Sequence, residues 1–219
     1  MLNQILSELA PTKTKLVAVS KTKPNEAILG LYDQGQRVFG ENYVQELVDK
    51  QAALPKDIEW HFIGHLQSNK VKYIAPFVNM IHSVDSFKLL QEINKQAAKN
   101  GRIIKVLLQF HIAEEVSKFG FDTEGVKMIV DELTDFNLNN IEICGVMGMG
   151  TFTDDKAQVQ REFQELKHIF DNLKQTYFSD NQSFTEISMG MSDDYLLAIK
   201  QGSTMVRIGS LLFGKRIYL

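Results

Sequence analysis

The sequence has few of the residues that cross-link a chain or separate its domains. One of its 219 residues is cysteine and four are proline, so an internal disulfide is excluded and no proline-rich linker is present. Cys144 lies in the apolar run 143–146, which favours a buried structural thiol over a nucleophile. Because no boundary signal occurs, we expect residues 1–219 to form a single domain that folds without a metal or a disulfide.

Long apolar runs and an excess of one charge are also missing. No stretch approaches the roughly 18 apolar residues of a membrane span, and residues 1–15 lack the apolar segment of a signal peptide. Lys and Arg total 24 and Asp and Glu total 27, a net charge of −3, so no nucleic-acid or anionic-membrane surface is expected. The five histidines show no metal-ligand spacing. We therefore expect a cytoplasmic protein with no metal, nucleic-acid or membrane partner.

Short apolar segments alternate with longer amphipathic segments along the whole chain. The predicted strands are 16–20, 38–40, 59–63, 77–83, 103–112, 141–147, 184–188 and 205–208. The predicted helices are 25–34, 43–53, 68–74, 85–99, 123–135, 155–175, 193–200 and 211–213, with an extra N-terminal helix at 1–10. Eight such units favour an α/β fold, a single (β/α)8 TIM-type barrel, and a doubly wound open sheet is the alternative.

Such a barrel places its chemistry at the carboxyl ends of the strands. The residues at the ends of the predicted strands or just after them are Lys21, 41–42, 64–65, Ser83 with Asp85, His111, Met147, 188–190 and 207–210. Most of these are polar side chains or glycines, so we predict a pocket at this rim.

Lys21 ends the first predicted strand. A lysine at the mouth of a closed barrel is partly dehydrated, which favours the neutral amine over the ammonium form. A neutral amine attacks an aldehyde to form a Schiff base. Lys23 is a competitor, but it precedes Pro24 and should lie farther out in the loop. On position alone, an ordinary rim lysine in a salt bridge is the simpler interpretation.

The seventh and eighth units each carry a turn with a glycine. Gly190 lets backbone approach an anion, while Ser188 and Ser192 offer hydroxyls, although Ser192 is also placed to be a helix N-cap. Residues 207–210 lead into a short helix, where free N–H groups bind phosphate, and barrels often hold phosphate in these two loops. Two tight turns without a ligand are the alternative.

Barrel closure brings both turns near Lys21, so one ligand with an aldehyde and a phosphate would contact all three. Pyridoxal 5'-phosphate (PLP) is such a ligand. A sugar phosphate bound by a Schiff-base aldolase is another.

Several segments of the chain resemble one known family. They are 18–24 (AVSKTKP), 39–46 (FGENYVQE), 59–64 (EWHFIG), 66–70 (LQSNK), 188–194 (SMGMSDD) and 202–209 (GSTMVRIG). From about residue 16 to residue 214 the sequence closely resembles the pyridoxal phosphate homeostasis protein family, which is related to the barrel domain of alanine racemase. The resemblance implies a barrel that holds PLP, buffers it and delivers it to apo PLP-dependent enzymes, without efficient catalysis.

The resemblance also assigns roles to individual residues. It implies Lys21 as the Schiff-base lysine, Asn42 near the cofactor ring, Met147 packed beside the ring, Arg207 facing the pyridine nitrogen, and a phosphate site made of Ser188, Gly190, Gly209 and Ser210. The sequence has His111 where the family often has Asn, and His65 where it often has Pro. We expect His65 to be a rim residue, and leave His111 open between a pocket donor and a space filler.

An arginine beside the pyridine nitrogen would keep that nitrogen unprotonated and weaken the electron sink of PLP. Alanine racemases share this arginine, but they use a second domain that supplies a tyrosine base. This chain ends soon after the eighth unit, so we expect no catalytic residues and a carrier that is a monomer or a weak dimer. A PLP-dependent racemase or lyase of low activity is the alternative.

Overall fold

The computed structural model describes residues 1–114, 120–121 and 138–214. Within them, the strands form one closed barrel in chain order, in which β8 pairs with β1 and neighbouring strands are parallel. The strands are β1 Lys15–Val19, β2 Val38–Glu41, β3 Glu59–Phe62, β4 Met80–Val84, β5 Ile104–Phe110, β6 Ile141–Gly148, β7 Glu186–Ser188 and β8 Met205–Ile208. The predicted (β/α)8 barrel is confirmed, and the open sheet is excluded.

Helices follow the strands and surround the barrel. Those that the structure describes are α1 Leu2–Leu9, α2 Asn25–Tyr32, α3 Val44–Ala53, α4 Val71–Ile74, α5 Phe87–Lys99, α6 Lys156–Thr176, α7 Tyr195–Lys200 and α8 Ser210–Phe213, with 3-10 turns at Ala10–Thr12 and Ser68–Lys70. The predicted N-terminal helix is α1. The helix predicted at 123–135 lies outside the described residues.

Two local signals explain where the longer helices begin. The Ser86 hydroxyl accepts a hydrogen bond from Leu89 N at 3.4 Å at the start of α5. The Asp155 carboxylate accepts bonds from the backbone N of residues 157 and 158 at 2.9 and 3.1 Å at the start of α6. Side-chain oxygens at these positions satisfy N–H groups that have no partner inside the helix, so both helices begin where the capping residue stands.

The core has two parts because the strands are buried on both faces. One apolar cluster packs between the strands and the helices. A second, which we call the inner cluster, consists of strand residues and fills the barrel interior: Val17, Met80, Leu107, Cys144, Met147 and Met205. Strands covered on both faces read as continuous apolar runs, which is why the strand segments were recognisable in the sequence.

The fourth strand begins later than its apolar pattern predicted. The backbone N of Phe77 and of Val78 both donate to Ile74 O, at 3.1 and 2.9 Å, so these residues continue the turn that ends α4 and the strand starts at Met80. That 1–219 form a single domain stays a prediction. In the described part of the chain, no helix is both long enough and apolar enough to cross a membrane.

Candidate ligand-binding site at the barrel mouth

A cavity of about 970 Å³ opens where the loops follow the strands, at the upper end of the range typical of small-molecule sites. It lies at the carboxyl ends of the strands, where barrel enzymes and binding proteins hold their ligands. Its wall includes Val19, Lys21, Lys23, Asn42, Ile63, Met149, Thr151, Phe152, Lys156, Met191, Ser192, Asp194, Tyr195, Arg207, Gly209 and Ser210. Five of the eight residues predicted from the sequence are therefore on one wall.

Lys21 and Lys23 both line the cavity but differ in their surroundings. Both side chains are partly buried. The Lys23 ammonium donates to the backbone oxygens of Phe213 and Gly214, at 2.9 and 3.2 Å. These carbonyls lie at the end of α8, where helix carbonyls have no intrahelical partner. Lys23 thus ties the β1–α2 loop to the end of α8.

A buried ionic cluster holds the backbone beside Lys21. The Lys50 ammonium, on α3, donates to Ser20 O at 2.7 Å, to Glu41 Oε1 at 2.7 Å and to Glu46 Oε1 at 2.6 Å. The Ser20 hydroxyl donates to the same Glu41 oxygen at 2.6 Å. Burial raises the pKa of Glu41, and the Lys50 and Ser20 contacts partly oppose that rise.

The same cluster stabilises an unusual backbone conformation. Thr22 has φ of 61°, a left-handed conformation that a β-branched residue rarely adopts. Its backbone N donates to Glu46 Oε1 at 2.6 Å. The residues on both sides of Lys21 are therefore fixed by α3. Sequence reasoning missed this cluster, although the i,i+4 spacing of Glu46 and Lys50 was a signal for part of it.

Asn42 follows β2 and presents an unsatisfied polar atom at the cavity wall. Its Oδ1 is buried and has no hydrogen-bond partner among the described residues. A Cβ on Gly64 would lie 2.3 Å from Asn42 O, so a glycine is needed after β3 to admit this loop. Buried oxygens without a partner are rare in proteins, and this one is placed to accept a bond from a ligand.

The β8–α8 turn, which neighbours the loop after β1, supplies polar groups to the same cavity. Gly209 N donates to the Ser192 hydroxyl at 3.3 Å, which brings the loops after β7 and β8 together. A Cβ on Gly209 would lie 3.3 Å from Val19 O, so a larger residue would press against β1. Ser210, at the start of α8, is exposed. Hydroxyl and N–H groups at such a turn suit an anionic group such as phosphate.

Glu162 on α6 fixes a further part of the wall, the β6–α6 loop. Its carboxylate accepts bonds from Thr151 N at 2.7 Å and from the Thr151 hydroxyl at 2.6 Å. Met149 and Phe152 in the same loop line the cavity, and Phe152 is 86% exposed. The loop thus places an apolar surface beside the polar groups of the wall.

Three residues predicted for the site are not on its wall. Met147 lies within β6, fully buried in the inner cluster, and Met149 takes the place on the wall. Met147 and Met149 are two residues apart and face the same interior, so the methionine beyond the end of the strand is the one that reaches the cavity. The strand runs on to Gly148, farther than its apolar pattern indicated.

Ser188 and Gly190 are placed by packing rather than by the cavity. The Ser188 hydroxyl is fully buried and points into the barrel interior, where it contacts His82 and Arg207. Gly190 has φ of 93°, and a Cβ there would lie 2.5 Å from the Ala198 Cβ. Gly190 is thus needed for a tight turn. Ser192, which the sequence left open as a cap, is the serine of this segment that lines the cavity.

Arg207 joins the cavity to the barrel interior. It lines the cavity but is only 4% exposed, and its Nη2 donates to Gly148 O at 3.0 Å. Burial lowers the pKa of Arg207 to about 10, partly opposed by Asp194, so the guanidinium remains charged near neutral pH. Burial also raises the pKa of Asp194.

His65 and His111, the two histidines predicted near the rim, are not among the residues that line the cavity. His65 Nδ1 lies 3.2 Å from an Asp85 carboxylate oxygen, and the His65 side chain is 43% exposed. His111 follows β5, and its backbone N donates to Phe121 O at 3.1 Å. Whether His111 is a pocket donor or a space filler therefore stays open.

The sequence is similar to proteins of a known family. Residues 2–216 match the family described as "Alanine racemase, N-terminal domain". The chain is 42% identical over 207 residues to the pyridoxal phosphate homeostasis protein of Aquifex aeolicus, which covers 93% of this chain and 88% of that protein. It is 40% identical over 223 residues to the human pyridoxal phosphate homeostasis protein, with 96% and 80% covered.

Solved structures extend the comparison. PipY of Synechococcus elongatus without PLP is 37% identical with a TM-score of 0.90, covering 97% of this chain and 98% of PipY. The same protein with PLP bound gives 36% identity and a TM-score of 0.83, covering 96% and 100%. Alanine racemase of Bartonella henselae shares the fold, with a TM-score of 0.75 and 16% sequence identity. The match covers 99% of this chain and 62% of the racemase chain.

Proposed function

Because the chain belongs to the pyridoxal phosphate homeostasis proteins of the alanine racemase N-terminal domain family, we propose that it binds PLP at the barrel mouth as a Schiff base on Lys21. One observation carries the proposal: Lys21, Arg207 and the Gly209–Ser210 turn line a single cavity. PLP, when bound, supplies an aldehyde and an electron sink. The aldehyde needs a lysine, the phosphate needs donors, and the ring nitrogen needs a polar partner.

The wall residues fit these three needs. Lys21 would take the aldehyde, because it lies closer to the end of β1 than Lys23 does. The hydroxyls of Ser192 and Ser210 would hold the phosphate, and Gly209, whose N–H is bonded to Ser192, would let the backbone come close to it. Arg207 would face the ring nitrogen. The unpartnered Asn42 Oδ1 would accept a hydrogen bond, and Met149 in place of Met147 would pack beside the ring.

The side chains around the cavity favour binding over turnover. Arg207 donates but does not accept a proton at neutral pH, so a ring nitrogen facing it stays unprotonated and the electron sink is weak. Tyr195 keeps its hydroxyl proton at neutral pH and is not available as a base, because burial and its hydrogen bond to Glu8 raise its pKa to about 12. Asp194 Oδ1 accepts from Met191 N at 2.5 Å. General acid–base catalysis needs a positioned group with a pKa near the working pH, and neither Arg207 nor Tyr195 has one.

We propose that the protein buffers PLP in the cytoplasm and delivers it to apo PLP-dependent enzymes, as a monomer or weak dimer. A cavity open at the rim suits a ligand that must be released to a recipient. A loaded protein that restores activity to an apo-enzyme no faster than free PLP would contradict delivery. Measurable racemisation or elimination of alanine, serine or threonine would favour the low-activity enzyme instead.

The binding proposal is tested by visible absorption after addition of PLP and desalting. We expect the wild type and Lys23→Ala to keep a band that borohydride removes, and Lys21→Ala to lose it. Lys23→Ala is the matched control because both lysines lie in the same loop and line the same cavity. Retention of the same band by Lys21→Ala would contradict the assignment of the lysine, and its absence from all three proteins would contradict PLP binding.

A further inference from the structure

A row of hydrogen-bonded side chains crosses the barrel interior beneath the cavity. His61 Nδ1 lies 2.9 Å from His82 Nε2, and His82 Nδ1 lies 3.0 Å from the Ser188 hydroxyl oxygen. Arg207 Nη1 donates to the same oxygen at 2.7 Å. These residues come from β3, β4, β7 and β8, and none is more than 5% exposed. The row therefore connects an arginine of the cavity wall to two histidines that no ligand would contact.

Both histidines are neutral at physiological pH. Burial, together with smaller contributions from the charges of Lys15 and Lys105, lowers the pKa of His61 to about 3. Burial also lowers the pKa of His82, with added contributions from His61 and Arg207. A neutral imidazole has one N–H donor and one acceptor nitrogen. His82, which has a partner at both nitrogens, therefore donates to one partner and accepts from the other.

Hydrogen-bond counting selects the direction. The Ser188 oxygen already accepts from Arg207, and among the described residues its other bonding partner is His82 Nδ1. If His82 Nδ1 carried the hydrogen, the buried Ser188 hydroxyl hydrogen would have no acceptor, which is costly. If the serine donates to His82 Nδ1, then His82 carries its hydrogen on Nε2 and donates to His61 Nδ1. Both directions make three hydrogen bonds, but they differ in where the unpaired hydrogen lies. The first leaves it on the fully buried Ser188 hydroxyl, whereas the second leaves it on His61 Nε2, which is not among the fully buried unpaired atoms of the described residues.

We propose that His82 is a positioning residue for Arg207: by accepting the Ser188 hydroxyl hydrogen, it turns the serine lone pairs toward the guanidinium and holds Arg207 for the ring nitrogen of PLP. This inference rests on the proposed function. Without His82 the hydroxyl is free to rotate, and the buried guanidinium keeps only its bond to Gly148 O at full strength. Hydrogen bonds to charged groups are strong and depend on alignment, so the loss should be felt at the cavity.

The first test uses the protein without PLP, so it does not depend on the proposed function. In ¹⁵N-histidine NMR spectra from about pH 5 to about pH 9, we expect His82 to remain neutral with its hydrogen on Nε2. We expect Ser188→Ala to shift the His82 Nδ1 resonance, because it removes the hydroxyl donor. A hydrogen on Nδ1 of His82, or a resonance unchanged in Ser188→Ala, would overturn the inference.

The second test measures PLP binding and the visible band of the loaded protein. We expect His82→Leu and Ser188→Ala to weaken PLP binding about tenfold, equal to about 1.4 kcal/mol, and to shift the band. His82→Asn offers an acceptor near the position of Nδ1 and should restore both. Met80→Leu is the packing control, since Met80 lies two residues before His82 and points to the same interior. It should change the affinity less than about twofold.

The outcomes separate the inference from the proposed function. If the wild type fails to bind PLP, the proposed function fails, and the NMR spectra still decide the direction of the row. If the wild type binds PLP and Ser188→Ala keeps both its affinity and its band, the inference is wrong. Should His82→Leu fail to fold, Ser188→Ala and His82→Asn decide the question, since each makes a small change in volume.

Discussion

Replacement of Lys50 by methionine tests whether the buried cluster beside Lys21 stabilises the fold and the site. The Lys50 side chain is 6% exposed and bonds to Glu41, whose side chain is fully buried. Methionine keeps most of the apolar stem but removes the charge. Breaking a buried ion pair on one side costs about 3–5 kcal/mol, because the other charge is left uncompensated. The free energy of unfolding of a protein domain is about 5–15 kcal/mol, so this loss would be a large fraction of the total stability.

The stability lost in Lys50→Met should increase with pH. The pKa of Glu41 is raised by burial and lowered by Lys50, so Lys50→Met raises it further. A carboxyl group whose pKa is higher in the folded state stabilises the fold at low pH, and that stabilisation is lost as the pH rises through the folded-state pKa. The difference between variant and wild type should therefore be smaller near pH 5 than near pH 8.

The assay is urea unfolding of both proteins at the two pH values, analysed by linear extrapolation. Lys167→Met is the matched control, because Lys167 forms an exposed i,i+4 pair with Asp171 on α6 and exposed pairs are worth about 0–1 kcal/mol. A Lys50→Met loss that is no larger than the control loss, or one that does not grow between pH 5 and pH 8, would refute the reasoning.

Three further predictions follow from single contacts. Gly190→Ala should destabilise the fold by about 1–3 kcal/mol in thermal melts, because φ is 93° and the new Cβ would lie 2.5 Å from the Ala198 Cβ. The control is Gly30→Ala, which has open space at its Cβ and should stabilise the fold by about 0.5–1 kcal/mol. Ser192→Ala should weaken binding of PLP but leave binding of pyridoxal unchanged, since only PLP has a phosphate; equal weakening of both would count against the phosphate site. Cys144 should react with a thiol reagent at pH 8 only after unfolding, because burial raises its pKa to about 12, and fast reaction of the folded protein would disprove this.

Much of the fold was readable from the sequence because each strand is short, apolar and followed by an amphipathic segment. Barrel closure was inferred from the number of units, and the pairing of β8 with β1 confirms it. The start of β4 was wrong because Phe77 and Val78 are apolar for a different reason: they pack under the turn after α4. Apolar composition alone does not separate these two cases.

The site was predicted less completely, for reasons of geometry. Motif positions placed Lys21, Asn42, Arg207, Gly209 and Ser210 on what proved to be one wall. They did not reveal which face of a strand a side chain occupies. They also did not show that β6 continues to Gly148, which leaves Met147 inside the barrel and Met149 at the cavity.

Most contacts of the buried polar groups could not be predicted from the sequence. His61, His82 and Ser188 lie in three separate segments, and only the barrel brings them together. Lys50 looked like an ordinary polar residue on a helix, although it is buried against Glu41. Contacts between residues distant in the chain carry no local pattern, so these partners became visible only in the folded structure.

The central claim, that Lys21 holds PLP, is tested most directly by mapping the attachment site. Wild-type protein is loaded with one equivalent of PLP, reduced with borohydride, digested and analysed by peptide mass spectrometry. The account predicts a single major pyridoxyl-lysine at Lys21. A major modification at Lys23, or labels spread evenly over surface lysines, would contradict it.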